Sequence, residues 1–431
     1  MHGLIEKCLR SVPEVAHAIA RDEGLVAHRV ARAIARGRIV VPANPRREHR
    51  LCAVGEGCHV KVNVNVGTSG TRCDPAEELE KARAALAEGA DALMDLSTGG
   101  DLPAIRQSIL ALDAPVGTVP IYEAVRRAGN AADVDADLLF RVIREHCRDG
   151  VDFLTLHCGV NRDAYAALVD DPRVMGVVSR GGAFHTVMMA ERGEENPLYA
   201  EFDYLCELLA EHGVVASLGD GMRPGARADA ERLAKATEYL TLGRLAKRAL
   251  AAGVERMIEG PGHLALDQVG YNVRMLKELT DDAPLYLLGP LVTDLAPGYD
   301  HVVGAIGGAV ACQHGADFLC MVSPAEHLAL PDRQDIIEGT RVARLAAHVG
   351  TLSRQPDGGA ARREDAMGQA RRRLDWDEQF RLALFPEHAR RIHERDGELE
   401  TCSMCGDLCA IRLAGDLLPP READRDADED A

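Results

Sequence analysis

The sequence contains no long run of lysine and arginine, and its formal charge is strongly negative. Its 431 residues include 68 acidic and 50 basic side chains, which gives a net charge of −18 at pH 7. A chain of this charge is repelled by phosphate backbones unless a basic patch offsets the repulsion. We therefore expect no nucleic-acid partner, and a small-molecule substrate fits the composition better.

Long apolar runs are also missing. No stretch approaches the ~18 uninterrupted apolar residues that suggest a membrane-spanning helix. The start of the chain, Met1–Lys7, has no basic segment followed by an apolar core. We expect a cytoplasmic protein with no membrane partner. With 46% hydrophobic and 27% charged residues, the chain is predicted to be globular and to bury one large core or two smaller ones.

Between residues 59 and 324, short β-branched or apolar runs alternate with amphipathic helical stretches. This alternation predicts parallel βαβ units, and a closed barrel is the commonest arrangement of that length. The predicted fold class is therefore α/β, a (β/α)8 TIM-type barrel. One strand candidate is surplus, because nine are present: 59–67, 91–97, 116–121, 153–159, 174–180, 214–220, 255–262, 285–291 and 316–324.

Composition divides the chain into four segments. Residues 1–50 are predicted to form a helical N-terminal leader, and residues 51–354 the catalytic barrel. Residues 355–415 are predicted to form a helical C-terminal segment that carries the single tryptophan, Trp376, and a group of cysteines. Residues 416–431 are acidic and are expected to be disordered.

Polar residues fall at or just after the ends of the predicted strands. In such barrels the carboxyl ends of the strands form the active face, so these residues are expected to converge on one cavity. Loops after strands are polar in any barrel, so the prediction depends on the whole set rather than on a single residue. The set includes Asn65, Thr98, Tyr122, His157, Arg180, Asp220, Arg223, Glu259, His263 and His327.

Three of the twelve cysteines, Cys402, Cys405 and Cys409, stand within eight residues of one another near the carboxyl end. A [4Fe–4S] cluster held by three thiolates leaves one iron open, and that iron can bind the amino and carboxylate groups of S-adenosylmethionine. Spacing alone leaves a zinc site and a redox thiol pair as alternatives. The order here is C-x2-C-x3-C, the reverse of the C-x3-C-x2-C arrangement usual in radical enzymes with this cofactor.

The chain resembles the phosphomethylpyrimidine synthase family, in its shorter form, from about residue 50 to residue 412. Matching stretches include VKVNVNVGTS (60–69), ALMDLSTGGD (92–101), SLGDGMRPG (217–225), ADFLCMVSPAEHLALP (316–331) and CSMCGDLC (402–409). The resemblance implies a (β/α)8 barrel, a C-terminal cluster segment and a homodimer in which that segment of one subunit caps the barrel of the other.

The resemblance also implies the reaction. The substrate would be aminoimidazole ribonucleotide, and the product hydroxymethylpyrimidine phosphate for thiamine, with formate and carbon monoxide lost. The enzyme would be a carbon–carbon lyase whose cofactors are S-adenosylmethionine and a [4Fe–4S] cluster. The expected reductant is an electron donor such as a flavodoxin or a ferredoxin.

Site residues follow from the same resemblance. Cys402, Cys405 and Cys409 match the cluster ligands, and His263 and His327 match the two histidines that bind a second metal, zinc or another divalent ion. Two positions depart from the family, which has glutamine at Glu123 and leucine at Met222. The substrate-binding positions fall on Asn65, Met94, Tyr122, His157, Ser179, Arg180, Gly181, Asp220, Gly221, Met222, Arg223, Glu259 and Tyr286.

Three other functions remain open from the sequence. A paralogue with largely the same motifs uses the same substrate to make 5-hydroxybenzimidazole for cobamides. A zinc-dependent barrel hydrolase would use His263 and His327 as ligands and Glu259 as the general base. A metal-binding or redox-sensing protein would not be an enzyme, but the converging polar residues argue against an empty barrel.

Overall fold

The computed structural model describes residues 3–397, 399–415 and 417. The chain divides into two compact units, Met1–Arg354 and Gln355–Ala431. The acidic tail predicted at 416–431 lies outside the described residues except for Leu417.

A small N-terminal layer precedes the barrel and has its own apolar core. Helical spacing in the sequence brings Ile19, Val30 and Ile34 onto the faces that pack together, with Ile39 from the following strand. The elements of this layer are α1 (Leu4–Arg10), α2 (Glu14–Glu23), α3 (Ala27–Ala35) and the antiparallel pair β1 (Ile39–Val40) and β2 (Val54–Gly55).

Eight parallel strands close into a barrel, which confirms the predicted fold class. Each strand pairs with the one before it in the chain, and the last strand pairs with the first, where Phe318 lies opposite Lys61 and Cys320 opposite Asn63. The strands are β3 (Lys61–Val66), β4 (Ala92–Asp95), β5 (Val116–Thr118), β6 (Phe153–Leu156), β7 (Val215–Leu218), β8 (Arg256–Glu259), β9 (Leu285–Leu288) and β10 (Phe318–Cys320).

Helices follow the strands and cover the barrel. Several begin at a capping side chain: Asp74, Asp101, Asp135 and Asn161 each accept a backbone N–H of the helix that follows. The helices are α4 (Pro75–Ala87), α5 (Leu102–Leu110), α6 (Pro120–Ala128), α7 (Ala136–Asp149), α8 (Arg162–Asp170), α9 (Arg180–Arg192), α10 (Pro197–Ala200), α11 (Phe202–His212), α12 (Leu233–Ala251), α13 (Leu266–Leu279), α14 (Asp300–Gln313) and α15 (Arg333–Arg354).

The surplus strand candidate is 174–180. The prediction of a strand in this segment is wrong. This segment is irregular up to the start of α9. The backbone N–H groups of Val174 and Met175 donate to the Asp229 carboxylate at 2.8 and 2.9 Å, so they are not available to a neighbouring strand. Gly176 has a φ of 62°, which interrupts an extended run.

The two-residue period of β3 decides which side chains enter the barrel. In the sequence KVNVNV the valines Val62, Val64 and Val66 pack in the large apolar core. The alternate residues Asn63 and Asn65 face the interior, where the Asn63 amide donates to Asn65 Oδ1 at 2.9 Å and to the Tyr286 hydroxyl at 2.7 Å.

Aspartates at the amino end of the barrel each hold a neighbouring strand. In all three cases a glycine with positive φ stands two residues before the aspartate: Gly89, Gly150 and Gly315. The carboxylate, buried in Asp152 and Asp317 and partly buried in Asp91, then accepts the backbone N–H of the adjacent strand. The pairs are Asp91–Val62 at 2.8 Å, Asp152–Val116 at 2.8 Å and Asp317–Leu285 at 3.0 Å.

The second unit contains four α-helices among its described residues. Trp376 stacks on His393 with ring centroids 3.8 Å apart, and its indole N–H donates to the Glu400 carbonyl at 2.9 Å. The cysteine triplet lies between the last two of these helices. They are α16 (Gly359–Arg372), α17 (Trp376–Leu382), α18 (Pro386–His393) and α19 (Ala410–Gly415).

Across the described part of the chain, no helix combines the length and the apolar character that crossing a bilayer requires. The predicted cytoplasmic location stays a prediction.

Asp152 connects the N-terminal layer to the barrel, and its replacement by asparagine should destabilise the first unit. Its fully buried carboxylate also accepts from the Asn44 backbone at 2.8 Å and pairs with Arg47 at 3.1 Å. Asp152→Asn leaves Arg47 without its charge partner, so we expect the free energy of unfolding to fall by about 3 kcal/mol. Urea unfolding followed by circular dichroism measures this change. Tryptophan fluorescence is unsuitable, because the single tryptophan, Trp376, lies in the second unit.

Asp113→Asn is the matched control. Asp113 also acts on Arg47, but it is exposed, and its carboxylate accepts a backbone N–H from Arg50 at 2.7 Å. Its replacement should therefore change stability by less than about 0.5 kcal/mol. Equal losses in the two variants would contradict the role given to Asp152.

Candidate active site at the carboxyl ends of the strands

A cavity opens where the barrel strands end. Nine of the thirteen predicted substrate-binding residues line it, and they come from separate strands and loops. Because the barrel is closed, the ends of strands far apart in sequence meet around one axis. The nine residues are Asn65, Met94, Tyr122, His157, Ser179, Asp220, Arg223, Glu259 and Tyr286.

The other four predicted residues lie around this cavity without lining it. The Arg180 guanidinium lies over the Tyr122 ring, 5.1 Å from its centroid, and lines a neighbouring cavity. Gly181 packs against His157 so closely that a Cβ would stand 2.2 Å from the imidazole. Gly221 contacts helix α9, and the Met222 side chain is fully buried in a separate apolar cluster. The Met222 side chain therefore does not reach the cavity.

Glu259 stands at the end of β8 with two hydroxyl donors. Thr155 Oγ1 and Ser217 Oγ donate to the same carboxylate oxygen at 2.7 and 2.8 Å. Burial raises the pKa of Glu259 above its usual value, and the two hydrogen bonds oppose that rise because they favour the charged form. The sequence reading missed Thr155 and Ser217. Their inward position on β6 and β7, two residues before His157 and Gly219, was the available signal.

Asp220 and Arg223 form a short ion pair on the loop after β7. Arg223 Nη1 is 3.3 Å from Asp220 Oδ1, while Oδ2 is buried without a hydrogen-bond partner among the described residues. Burial raises the pKa of Asp220 well above its usual value, although Arg223 opposes the rise. A buried oxygen left unpaired in the protein is available to a ligand.

His157 and Ser179 also line the cavity. His157 Nε2 lies 3.2 Å from Ser179 Oγ, and the Ser179 hydroxyl accepts the Gly182 N–H at 3.1 Å as the cap of α9. Burial, together with nearby His185 and Arg223, lowers the pKa of His157 well below its usual value. The imidazole is therefore neutral at pH 7. Ser179 also places the amino end of α9, a 13-residue helix, at the cavity.

The two departures from the family lie behind the cavity wall. Glu123 points away from its neighbour Tyr122 into a buried network, where it accepts from Arg106 Nη1 at 2.7 Å and lies 2.8 Å from His146 Nε2. Met222 is buried as described above. Neither side chain changes the groups that line the cavity.

His263 and His327 meet beside the cavity, with ring centroids 5.4 Å apart. In each ring Nδ1 contacts a protein oxygen: the Pro224 carbonyl at 3.2 Å from His263, and Asp300 Oδ1 at 3.0 Å from His327. His263 Nε2 lies 4.0 Å from Asp294 Oδ1. Contacts at Nδ1 of this kind orient the rings of metal-binding histidines. Within the described ranges no group of three or more His, Cys, Asp or Glu side chains is placed to hold a metal. Two imidazoles would supply two of the four ligands of a zinc site.

The cysteine segment is a tight turn in the second unit. The backbone N–H of Cys405, and that of Met404, lower the pKa of the Cys402 thiol. The Cys405 thiol lies within hydrogen-bonding distance of the Cys402 sulfur, and its pKa is raised by that contact. Thiolates that accept N–H groups are the ligands iron–sulfur clusters use, so the donor set fits such a cluster.

The fold and the cavity define a (β/α)8-barrel enzyme whose site combines buried acids, a neutral histidine and arginine. The chain belongs to the radical SAM ThiC family, whose model matches residues 5–416. Membership of this family implies an iron–sulfur cluster and S-adenosylmethionine.

Close relatives cover nearly the whole chain. A phosphomethylpyrimidine synthase of Methanopyrus kandleri is 50% identical over 97% of this chain and 99% of its own length. One from Archaeoglobus fulgidus is 50% identical over 91% of this chain and 94% of its own length. Among solved structures, a dihydropteroate synthase of Xanthomonas albilineans covers 73% of this chain and 99% of its own at 13% identity, with a TM-score of 0.43, too distant to bear on function.

Thr155→Val should raise the pKa of Glu259 further. The substitution removes a hydroxyl that stabilises the carboxylate form, so the neutral form should persist to higher pH than in the unmodified protein. An isotope-edited infrared titration, with Glu259→Gln used to assign the band, measures this pKa. Ser217→Ala should act in the same direction.

Thr241→Val provides the control for that titration. Thr241 is also buried, but its hydroxyl donates to the Thr237 carbonyl within α12. The Glu259 pKa should be unchanged there. If the pKa of Glu259 were also unchanged in Thr155→Val, the hydrogen bond between Thr155 and Glu259 would be contradicted.

Proposed function

We propose that this chain converts aminoimidazole ribonucleotide to hydroxymethylpyrimidine phosphate, the pyrimidine precursor of thiamine, with S-adenosylmethionine and a [4Fe–4S] cluster. The observation that carries the proposal is the meeting of nine expected substrate-binding residues around one cavity. Relatives named phosphomethylpyrimidine synthase, about half identical along nearly the full chain, support the same reaction.

Cationic and N–H groups at one end of the cavity suit the substrate phosphate. Arg223 lines the cavity, and Arg180 is the first residue of α9. Their guanidinium groups, with the Ser179 hydroxyl and the Gly181 amide, would bind phosphate oxygens by charge-assisted hydrogen bonds. The neutral His157 adds no competing charge and can accept or donate a hydrogen bond, depending on its tautomer.

Other polar groups that line the cavity suit the aminoimidazole ring and the ribose. Asp220 and Glu259 have raised pKa values, so each carboxyl takes up a proton more readily than an exposed one and can either accept or donate a hydrogen bond. Asn65 offers an amide beside them. Tyr286 is buried and Tyr122 packs edge-on against Phe184, so both rings help to exclude water.

Holding the substrate still is the main contribution of this cavity to catalysis. When bound at Cys402, Cys405 and Cys409, the cluster would supply the electron that cleaves S-adenosylmethionine to a 5′-deoxyadenosyl radical. A carbon radical abstracts whichever hydrogen lies nearest, so the geometry imposed by the walls selects the reacting atom.

The second metal site forms part of the same proposal. His263 and His327 would bind zinc or another divalent ion through Nε2, and Asp300 and the Pro224 carbonyl would orient the rings. Two imidazoles leave positions open, which suits a Lewis acid or an anchor for a cofactor carboxylate. The remaining expectations, a homodimer, a flavodoxin or ferredoxin donor, and a cytoplasmic location, belong to this proposal too.

Cys405→Ala should abolish S-adenosylmethionine cleavage while leaving the barrel folded. The variant removes one of three cluster ligands in a unit separate from the barrel. The assay is an anaerobic incubation of reconstituted protein with aminoimidazole ribonucleotide, S-adenosylmethionine and a reductant, read by deoxyadenosine formation and product mass. Circular dichroism checks the fold.

Cys206→Ala is the control, because Cys206 is buried in α11 among apolar side chains. It should retain cleavage, whereas retained cleavage in Cys405→Ala would count against the mechanism. A product with the mass of 5-hydroxybenzimidazole would identify the paralogue's reaction instead. Turnover without S-adenosylmethionine or iron would favour the hydrolase.

His327→Ala should weaken binding of the second metal by at least about tenfold, because it removes one of two imidazole ligands. Metal content after anaerobic purification and competition with a chelator measure the change. His17→Ala, on the exposed face of α2, should leave metal content unchanged. Equal metal content in both variants would contradict the assignment of His327 as a metal ligand.

A further inference from the structure

The loop that carries Asp220 and Arg223 is held from behind by a buried carboxyl group. Glu238 lies on α12 with no exposed surface, and its Oε2 accepts the backbone N–H of Met222 at 2.8 Å. Glu238 does not line the cavity, and the sequence reading did not single it out. A fully buried acid that bonds to a loop backbone costs desolvation energy, so its presence calls for a physical reason.

Arg173 holds the same residue of the loop from its other side. Its Nη2 donates to the Met222 carbonyl at 2.8 Å, and its Nη1 lies 3.4 Å from the Arg223 carbonyl. Arg173 belongs to the irregular segment that leads into α9. Asp229 fixes that segment by accepting two of its N–H groups. One side chain therefore binds the N–H of Met222 and another binds its C=O.

Close backbone packing leaves the loop little freedom. A Cβ on Gly182, in the first turn of α9, would stand 2.3 Å from the Gly221 carbonyl oxygen, and one on Gly221 would stand 2.1 Å from a Val160 methyl. The Met222 side chain fills an apolar cluster with Val160 and Met189. The loop is therefore attached to α9, whose amino end carries Ser179.

We propose that Glu238, together with Arg173, positions the Asp220–Arg223 loop against α9, so that the substrate-facing Asp220 and Arg223 keep the geometry that binds the nucleotide. This inference rests on the proposed function for the identity of the ligand. Glu238 is a positioning residue, because it acts through the Met222 backbone and does not touch the cavity.

The protonation state of Glu238 permits a sharp test. Burial raises its pKa to about 8, while the Met222 N–H and Arg173 oppose the rise, so the carboxyl is mostly neutral at pH 7. Glu238→Gln keeps a neutral acceptor at the same place. Glu238→Met keeps the length and the apolar packing but removes the acceptor.

We expect Glu238→Met to lower kcat/KM for aminoimidazole ribonucleotide by about 10- to 100-fold, mainly through a higher KM, because a displaced loop weakens ground-state contacts. Glu238→Gln should stay within about threefold of the unmodified enzyme. Hydrogen exchange of the backbone amides in 219–226 should accelerate in Glu238→Met and not in Glu238→Gln.

Glu255→Met is the matched control, because Glu255 also accepts a backbone N–H, from Val41 at 2.9 Å, but at the amino end of β8. It should lower the melting temperature without changing KM. An unchanged KM and unchanged exchange in Glu238→Met, or an equal KM change in Glu255→Met, would overturn the inference. If the unmodified holoenzyme forms no product, the proposed function fails, and the exchange comparison still decides whether Glu238 holds the loop.

Discussion

Pairing of β10 with β3 closes the barrel, and the rest of the site depends on that closure. A closed parallel sheet has no edge strand, so every interior strand position is fixed in register by two neighbours. The two-residue period then assigns alternate side chains to the interior. Asn65 of the first strand and Cys320 of the last approach to 3.1 Å, although 255 residues separate them.

The two ends of the barrel use buried polar groups differently. At the amino end, Asp91, Asp152 and Asp317 each accept a neighbouring strand's N–H. At the carboxyl end, Asp220 Oδ2 and His157 Nδ1 are buried without partners among the described residues. Satisfied groups stabilise the fold, whereas unsatisfied ones cost stability, and at the cavity a ligand can complete them.

The residues that touch the cavity are supported by a layer behind them. Thr155 and Ser217 hold Glu259, Asp300 orients His327, and Glu238 with Arg173 holds the loop of Asp220 and Arg223. Such support fixes donor and acceptor positions to within fractions of an ångström before a ligand arrives, which is the condition for selecting one hydrogen in a substrate.

The alternation of strands and helices could be predicted from local periodicity, and six of the nine cavity residues from their positions at strand ends. Met94, Ser179 and Tyr286 followed only from the resemblance to the family. The sequence could not identify 174–180 as the surplus strand, since the decisive partner, Asp229, lies about 50 residues away. Glu238 was missed for the same reason. Its role depends on a contact with Met222 that forms only when α12 packs behind the loop. The spacing of residues in the sequence therefore could not predict it.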